Sequence, residues 1–465
     1  MDEGSVSVST IQPEVATRPT RATLTPRVAG VVLGLLTFAG YLPGLGRSLD
    51  FDSAETIGLF VRPGPPWSVF HQQAVFNNHP MFSFLEQLVR ATTGRSGAAT
   101  MRLLPVLCGA TCVGVLAWFV AHRHGVVAGL AAGALLACNP TFAGLSRAAR
   151  GYSLLTLCAL VATLVVVEDP RTHPRRVDAL YIVAAGAGLA THLYMVPVLA
   201  AHVGMLLARG RWDGRWRRRL LGVLLAGAVA YAGMAAAMVE AAGEHARVFK
   251  PAMPWHVASM ATGGGWAALV VAPLVCAGAL VVLRDSRAAR GAAAGMAVVL
   301  LGLWAVMQSS ALEERFFVWM VPGAAYLAGV AIARVRGSWV LAAGSAALAL
   351  AVIVPGYTRD PTSYRLAAAL VESTSASGSR ACVVDVGVPP MRAYLDTPRD
   401  FATITEPAQL EGCDVVVVAA WWPTTAAWFA SDRRVIDAAE ARYPYRLVLG
   451  HADPALVLAT RPLTR

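Results

Sequence analysis

Between two long apolar segments, residues 47–102 read RSLDFDSAETIGLFVRPGPPWSVFHQQAVFNNHPMFSFLEQLVRATTGRSGAATMR. This polar stretch carries titratable side chains suited to acid–base chemistry, namely Asp50, Asp52, Glu55, His71 and His79. Ordering a long loop between apolar segments costs conformational entropy, so such a loop usually serves a function. We therefore interpret residues 47–100 as an outer catalytic loop that forms half of an active site.

The composition predicts a membrane protein with many spans. Of the 465 residues, 56% are hydrophobic and 14% are charged, which is too apolar for a soluble protein of this length. The formal net charge is +11, but residues 357–465 contain 11 Arg against 12 Asp and Glu. The positive surplus therefore belongs to the membrane part, where it fits cytoplasmic loops better than a nucleic-acid surface.

Apolar segments of about membrane-spanning length recur along the chain. They cover residues 27–46, 101–121, 125–143, 152–167, 179–208, 220–239, 266–283, 292–308, 316–333 and 338–356. Basic links alternate with other links, and positive charge stays on the cytoplasmic side of a membrane. Basic residues flank the segment 179–208 at both ends, so it fits this alternation only if it turns back near His192.

With a turn near His192 the sequence predicts about eleven spans, so the fold class is a mainly α polytopic helical bundle of the cell membrane. Residues 1–26 are rich in Ser, Thr and Pro and are expected to form a disordered cytoplasmic tail. Residues 27–356 are the transmembrane domain. The parity of the loop charges then places residues 357–465 outside the cytoplasm.

Residues 357–465 are predicted to form a small extracytoplasmic α/β domain. Short β-rich apolar runs alternate there with helical stretches. The runs are 381–386, 414–420 and 446–449, and the helical stretches are 363–375 and 424–443. Cys382 and Cys413 also lie in this domain, and their spacing leaves open whether they form a disulfide.

Three carboxylates follow the first span. Asp50 or Asp52 could be a general base that accepts the proton of an attacking hydroxyl, with a neighbour such as Glu55 adjusting its basicity. The alternative interpretation is structural, with Asp52 or Ser53 as the N-cap of a helix that continues through Glu55 and Ile57. The sequence does not separate these two roles, and one residue can serve both.

The segment PMFSFLEQLVRATTG from residue 80 has apolar residues at helical spacing and is expected to lie along the membrane surface. His79 precedes it, at a helix N-terminus where an anion such as phosphate is favoured. The predicted turn at His192 lies on the same face of the membrane. A single His is more often a hydrogen-bonded structural residue, so both interpretations of His79 remain open at this point.

Several arginines lie at the predicted outer ends of the spans. Positive charge is normally depleted on that side, so Arg102, Arg147 and Arg150 are candidates for holding a lipid phosphate. The alternative is that they extend to the membrane interface without binding a ligand. Arg315 follows two Glu residues, and it could form a surface ion cluster with them or turn inward as a phosphate ligand.

The order of motifs along the chain is more specific than any one motif. FDSAET (51–56) is followed by NNHPMFSFLEQLVRATTG (77–94), ATMRLLP (99–105), CNPTFAGLSRAARGYSLL (138–155) and EERFFVWMVP (313–322). Over residues 27–335 this order resembles the polyprenyl-phosphate-sugar-dependent membrane glycosyltransferases of the C-type fold. That family includes dolichyl-phosphate-mannose protein mannosyltransferases, lipid A aminoarabinose transferases and transferases of lipopolysaccharide cores.

The resemblance implies roles for residues of the catalytic loop. The family's catalytic base is an Asp of the first outer loop, which Asp52 matches best, with Asp50 as the alternative. The basic residue before Pro binds the donor phosphate, and His79 occupies that place. Ser53 stands where many members carry a second acid.

The resemblance also implies ligands for the donor phosphate later in the chain. Arg150 and Tyr152 match the family's R-x-Y motif. Arg315 matches the Arg of a late motif in which Phe316 here replaces a Tyr. Further residues of the outer face are candidates for contact with the substrate, and these are Glu55, Arg102, Arg147 and His192.

The sequence thus predicts an inverting glycosyltransferase. It would move a hexose or pentose from a polyprenyl-phosphate donor in the bilayer to a glycan, glycolipid or protein acceptor at the outer face. No cofactor or nucleic acid is expected; metal-site motifs are absent, and the pair Asp50 and Asp52 leaves a divalent cation open. The competing hypothesis is a lipid-linked sugar flippase or transporter, which should show ionisable residues or broken helices at mid-membrane depth.

Overall fold

The computed structural model describes most of the chain. The described residues are 24–70, 78–168, 174–236, 238–239, 250–306, 313–335, 344, 364–385, 388–395, 401–418, 430–449 and 455–461. Within these ranges the protein is mostly helical, with one small sheet towards the C-terminus. His71 and most of the predicted tail 1–26 and the predicted span 338–356 lie outside the described residues.

The helices of the membrane part follow the predicted apolar segments. In chain order they are α1 (Pro26–Tyr41), α2 (Phe51–Glu55), α3 (Pro80–Thr93), α4 (Ala98–Met101), α5 (Leu103–His124), α6 (Val126–Ala137), α7 (Pro140–Leu145), α8 (Tyr152–Glu168), α9 (Pro174–Thr191), α10 (Val196–Ala208), α11 (Gly214–Tyr231), α12 (Met253–Ala261), α13 (Gly265–Asp285), α14 (Arg287–Val306) and α15 (Val321–Ala333). In the described ranges, three helical segments are long and apolar enough to cross a membrane, and four shorter apolar helices accompany them. The count of eleven spans stays a prediction.

The predicted break in the apolar segment 179–208 is confirmed. A short 3-10 turn at Leu193–Met195 separates α9 from α10. The two helices fold back on each other, because the Tyr181 hydroxyl of α9 lies 3.1 Å from Nδ1 of His202 on α10. Arg215, in the first turn of α11, forms an ion pair of 2.9 Å with Asp178 near the start of α9. The basic segments that flank 179–208 therefore lie at one end of the bundle, as the loop charges predict.

The core of the membrane part is built from small and branched apolar side chains of α5, α6, α8, α9, α10 and α15. Close contacts between helices depend on glycine, as is common where small residues line helix interfaces in membranes. Where α10 crosses α14, a Cβ atom on Gly204 would lie only 2.1 Å from the carbonyl oxygen of Gly291. This close approach packs α10 tightly against α14 in the bundle.

The C-terminal domain is a mixed sheet of five strands flanked by helices. Its elements are α16 (Tyr364–Ala376), β1 (Ala381–Val384), α17 (Val388–Arg392), β2 (Ala402–Ile404), β3 (Val415–Val418), α18 (Ala430–Arg442), β4 (Tyr445–Leu449) and β5 (Ala455–Ala459). The order across the sheet is β2-β1-β3-β5-β4. β1 runs parallel to β2 and β3, whereas β5 is antiparallel to β3 and β4.

The prediction of an α/β unit is therefore confirmed for this part of the chain, although two of its strands were not foreseen. β2 has only three residues, too few to show a period. β5 is buried along its whole length and shows no alternation. The structure also pairs Cys382 of β1 with Cys413 in a disulfide, which the spacing had left open.

The C-terminal domain packs against the loop that follows α1. Leu49, Ala54 and Ile57 of this loop share one buried apolar cluster with Tyr364 and Met391 of the domain. The domain and the loop that carries Asp50 and Asp52 therefore lie on the same face of the helical bundle.

Candidate active site

The two aspartates of the first loop have different surroundings. Asp50 is the N-cap of α2, and its two carboxylate oxygens accept hydrogen bonds from the backbone N–H and the hydroxyl of Ser53, at 2.8 and 2.9 Å. Asp52 lies in the first turn of α2, and its carboxylate pairs with the guanidinium of Arg315. The predicted cap at Asp52 or Ser53 is therefore wrong, because the helix begins earlier in the chain and Asp50 caps it. The Asp52 side chain instead faces another functional candidate.

Arg315 comes from a distant part of the chain. It lies in a 3-10 helical segment, Glu314–Met320, that leads into α15. Its guanidinium contacts Asp52 on one side, and its Nε lies 2.5 Å from a carboxylate oxygen of Glu313 on the other. The sequence offered two alternatives for Arg315, an ion cluster or a phosphate ligand; the structure shows ion pairs with Asp52 and Glu313, and the ligand role stays a prediction. The Arg315 side chain is 33% exposed, so a ligand could reach it.

Arg150 is buried directly beneath α2. Its side chain is only 1% exposed, and its Nη1 donates to the Thr56 hydroxyl at 2.7 Å and to the Asp52 carbonyl at 3.4 Å. Burial opposes the charge of this guanidinium, but the nearby Asp52 carboxylate favours it, and the pKa of Arg150 is raised overall. A permanent positive charge thus lies below the backbone of the segment that carries Asp52.

Two histidines and a tyrosine form a compact group beside these charges. The rings of His79 and His192 are 5.0 Å apart between centroids, and His79 is 5.1 Å from the ring of Tyr152. His79 lies at the N-terminus of α3, His192 before α10 and Tyr152 at the start of α8. A Cβ atom on Gly151 would lie 2.7 Å from Nδ1 of His79, so the glycine makes room for this imidazole.

Hydrogen bonds indicate which imidazole nitrogen carries the proton. Nδ1 of His192 accepts the backbone N–H of Tyr194 at 3.1 Å, so the proton of the neutral ring lies on Nε2. Nδ1 of His79 is buried without a hydrogen-bond partner among the described residues. Because an unpaired buried donor is rarer than an unpaired acceptor, we assign the proton of His79 to Nε2 as well.

Both imidazoles are neutral around pH 7. Burial lowers the pKa of His79 well below its usual range, and the nearby Arg150, His192 and Arg315 lower it further. Burial, followed by the charges of Arg150 and Arg315, lowers the pKa of His192 to about 3. A phosphate placed between these groups would be held by neutral N–H donors and by permanently charged guanidinium groups.

The fold that brings these residues together is shared with known proteins. A family model described as dolichyl-phosphate-mannose-protein mannosyltransferase matches residues 77–239. The apo crystal structure of ArnT from Cupriavidus metallidurans aligns with a TM-score of 0.61 at 14% sequence identity, covering 93% of this chain and 97% of ArnT. The chain has the C-type membrane glycosyltransferase fold.

A second crystal structure supports this fold assignment. ArnT from Cupriavidus metallidurans bound to undecaprenyl phosphate aligns with a TM-score of 0.53 at 13% identity, covering 93% of this chain and 98% of ArnT. No curated protein sequence matches the chain. The resemblance to the polyprenyl-phosphate-sugar-dependent glycosyltransferases, predicted from the order of motifs, is confirmed.

Within this glycosyltransferase fold, two predicted arginines hold the backbone of the first loop. Arg102 donates to the carbonyl oxygens of Leu45, Arg47 and Ser48 at 2.8, 2.7 and 2.8 Å. Arg147 donates to the carbonyl oxygen of Pro43. The structure thus places both guanidinium groups at the turn before α2. Their role as substrate ligands stays a prediction.

Glu55 and Thr56 lie beside Arg150 on the underside of the candidate site. Glu55 is 9% exposed, and its negative charge contributes to the raised pKa of Arg150. Thr56 was not among the predicted site residues, although its hydroxyl accepts a hydrogen bond of 2.7 Å from Arg150. Thr56 follows Asp52 by four residues, which places the two side chains on one face of a helix. This spacing could have identified Thr56 from the sequence.

Aromatic side chains border the histidines. Phe316, noted only as a departure from the family motif, lies 5.3 Å from the His192 ring and 5.2 Å from the Tyr194 ring between centroids. The site therefore has an apolar wall beside its charged groups.

In the described part of the chain, His, Cys, Asp and Glu side chains form no group of three that could hold a metal ion. Asp50 is engaged with Ser53 and Asp52 with Arg315, so the two carboxylates do not act as a pair of ligands in this state.

Proposed function

We propose that the protein transfers a glycosyl group from a polyprenyl-phosphate sugar to a cell-envelope acceptor at the outer face of the membrane, with inversion of the anomeric centre. One observation carries this proposal. Asp52, Arg150, His79, His192 and Arg315, which come from distant segments, converge at one end of a bundle with the C-type fold. A carboxylate base and a set of phosphate ligands are what attack by a hydroxyl on a glycosyl phosphate requires.

Asp52 is proposed as the general base. The acceptor hydroxyl oxygen attacks the anomeric carbon while its proton passes to the Asp52 carboxylate. The bond between the anomeric carbon and the phosphate oxygen breaks, and its electron pair leaves with the lipid monophosphate. Attack from the side opposite the leaving group inverts the configuration.

The ion pair between Asp52 and Arg315 implies an exchange when the donor binds. In the structure Arg315 contacts the carboxylates of Asp52 and Glu313. A donor phosphate would compete for the same guanidinium, because bidentate binding of phosphate is a favoured contact of Arg. If Arg315 turns to the phosphate, Asp52 becomes available to the acceptor hydroxyl, and the base is active only when the donor is in place.

The histidine pair is proposed to hold the leaving phosphate. His79 lies at the N-terminus of α3, where the backbone N–H groups and the helix dipole also favour an anion. The Nε2–H groups of His79 and His192 would donate to phosphate oxygens, with Arg150 supplying a fixed positive charge nearby. As negative charge grows on the phosphate in the transition state, these donors stabilise it.

The donor class is inferred from the ligand chemistry and from the relative. ArnT was crystallised with undecaprenyl phosphate, a lipid monophosphate. The sugar is a hexose or pentose, and the acceptor is a hydroxyl of a glycan, a glycolipid or an exported protein. No step of the proposed transfer requires a cofactor.

A transfer assay tests the proposal. Purified protein in detergent is incubated with synthetic polyprenyl-phosphate sugars and a cell-envelope extract, with nucleotide sugars as the control donors. The expected result is consumption of one lipid-linked donor and a product of opposite anomeric configuration. If every donor stays intact while the protein moves lipid-linked sugar between the leaflets of a liposome, the flippase hypothesis replaces this one.

A further inference from the structure

The C-terminal domain makes specific polar contacts with the segment that leads into α2. The Tyr394 hydroxyl accepts the backbone N–H of Leu49 at 2.5 Å and lies 3.3 Å from the Ser48 hydroxyl. Burial raises the pKa of Tyr394, although its hydrogen bonds to Leu49 and Ser48 oppose this shift. The hydroxyl therefore remains protonated and can act as donor and acceptor at once.

The same short stretch of the domain is also held from the loop side. Nη1 of Arg62 donates to the carbonyl oxygens of Arg392 and Leu395, at 2.8 and 3.1 Å. Residues 392–395 therefore contact the segment around α2 at two points. Tyr394 contacts it just before α2, and Arg62 contacts it after the end of α2.

The helix that carries Asp52 is too short to hold its own position. α2 has five residues and continues directly into a π-helix at Thr56–Val61, and isolated helices shorter than about 12 residues are marginal in water. Leu49 is 1% exposed and immediately precedes the N-cap Asp50. A hydrogen bond on the Leu49 N–H therefore fixes where the helix begins, and through the helix it fixes the direction of the Asp52 carboxylate.

We propose that Tyr394 is a positioning residue for the base, so that the C-terminal domain sets the geometry of the reaction without touching the substrate. Catalysis depends steeply on the placement of reacting groups, and small displacements of a base lower the rate. The C-terminal domain would then contribute to catalysis by orienting Asp52. This inference rests on the proposed role of Asp52.

The test compares Tyr394→Phe, which removes only the hydroxyl, with Tyr445→Phe in the same domain. Tyr445 is 41% exposed at the edge strand β4, so it serves as the matched control. For Tyr394→Phe we expect kcat to fall about fivefold to tenfold, the range for one lost hydrogen bond, with KM for the donor unchanged. The control should match the wild type in both constants.

Hydrogen exchange of the amides of residues 49–53 provides a readout that needs no catalysis. It should accelerate in Tyr394→Phe and in a second variant, Arg62→Gln, which releases the same stretch from the other side. Faster exchange with unchanged kcat would overturn the positioning role, and unchanged exchange would show that the contact does not hold the loop. If Tyr394→Phe does not fold, Arg62→Gln decides by the same two measurements. If the wild type transfers no sugar, the proposed function fails, while the exchange data still test the contact.

Discussion

At the scale of single residues, the two aspartates of the first loop differ in the groups that their carboxylates contact. Asp50 and Asp52 are identical and two positions apart, but one caps α2 and the other faces Arg315. The order of motifs in the sequence could nominate both aspartates and favour Asp52. It could not show the partner of each carboxylate, because Arg315 lies 263 positions from Asp52 in the chain.

For His192, the sequence predicted the location but not the neighbouring residue. Charge parity placed it on the outer face, but nothing in the sequence indicated that its ring would lie 5.0 Å from that of His79. That contact depends on the hairpin of α9 and α10, which only the packed bundle defines.

Replacing His192 by Asn tests its contact with the phosphate. Asn can still accept the Tyr194 N–H through its side-chain oxygen, as in an Asx turn, but it has no Nε2 to reach the ligand. We expect KM for the lipid donor to rise about tenfold, as for a lost hydrogen bond to a charged group. His122→Asn, at the predicted cytoplasmic end of α5, is the control and should leave the kinetics unchanged. Unchanged KM in His192→Asn would remove this residue from the site.

The lowered histidine pKa values also predict a pH dependence of stability. Below about pH 6.5 the unfolded chain takes up a proton on His192, whereas the native ring, with a pKa of about 3, does not. This contribution to stability is therefore fully present above that pH and is lost as the pH falls towards 3. The apparent melting temperature should drop between pH 7 and pH 5, and the drop should be smaller in His192→Asn. Equal slopes would show that the ring is not buried in its neutral form.

At the scale of secondary-structure elements, the site depends on how closely α3, α8 and the α9–α10 hairpin meet. Gly151, just before α8, lies between His79 and Thr191, and a Cβ atom there would be 2.7 Å from Nδ1 of His79 and 2.6 Å from Cγ2 of Thr191. The spacing of apolar residues predicted these helices well. It could not predict which glycine would mark their meeting point.

Gly151→Ala should therefore displace the His79 ring. We expect weaker donor binding, with KM raised several-fold to about tenfold, since a close-packed site must shift to admit a methyl group. Gly144→Ala on α7 is the matched control, because a Cβ atom there has no neighbour within 4 Å. Equal donor affinity in the two variants would contradict the packing described for α3 and α8.

At the scale of the whole molecule, the first loop and the C-terminal domain form one unit with a shared apolar cluster. The alternation of β-rich and helical stretches predicted the α/β character of the domain. The loop charges predicted its side of the membrane. Its contact with α2 could not be predicted, because Leu49 and Tyr394 are 345 positions apart and neither belongs to a motif.

Topology can be tested by labelling intact cells with a membrane-impermeant maleimide. The exposed Cys276 is first replaced by Ser to remove background. We expect labelling of Ser377→Cys in the C-terminal domain and none of Arg217→Cys, at the basic end of the bundle. The reverse pattern would place the domain in the cytoplasm and refute both the parity argument and an outer active site.

The central claim is that Asp52 is the base of a sugar transfer. The most direct measurement compares the single-turnover rates of Asp52→Asn and Asp50→Asn, using as substrate the donor that the wild type consumes. Asn caps a helix about as well as Asp, so Asp50→Asn should keep most of the activity. Asp52→Asn should bind the donor but transfer the sugar about 10² to 10⁴ times more slowly, the usual contribution of a general base. Full activity in Asp52→Asn together with loss in Asp50→Asn would contradict the account and move the base to the helix cap.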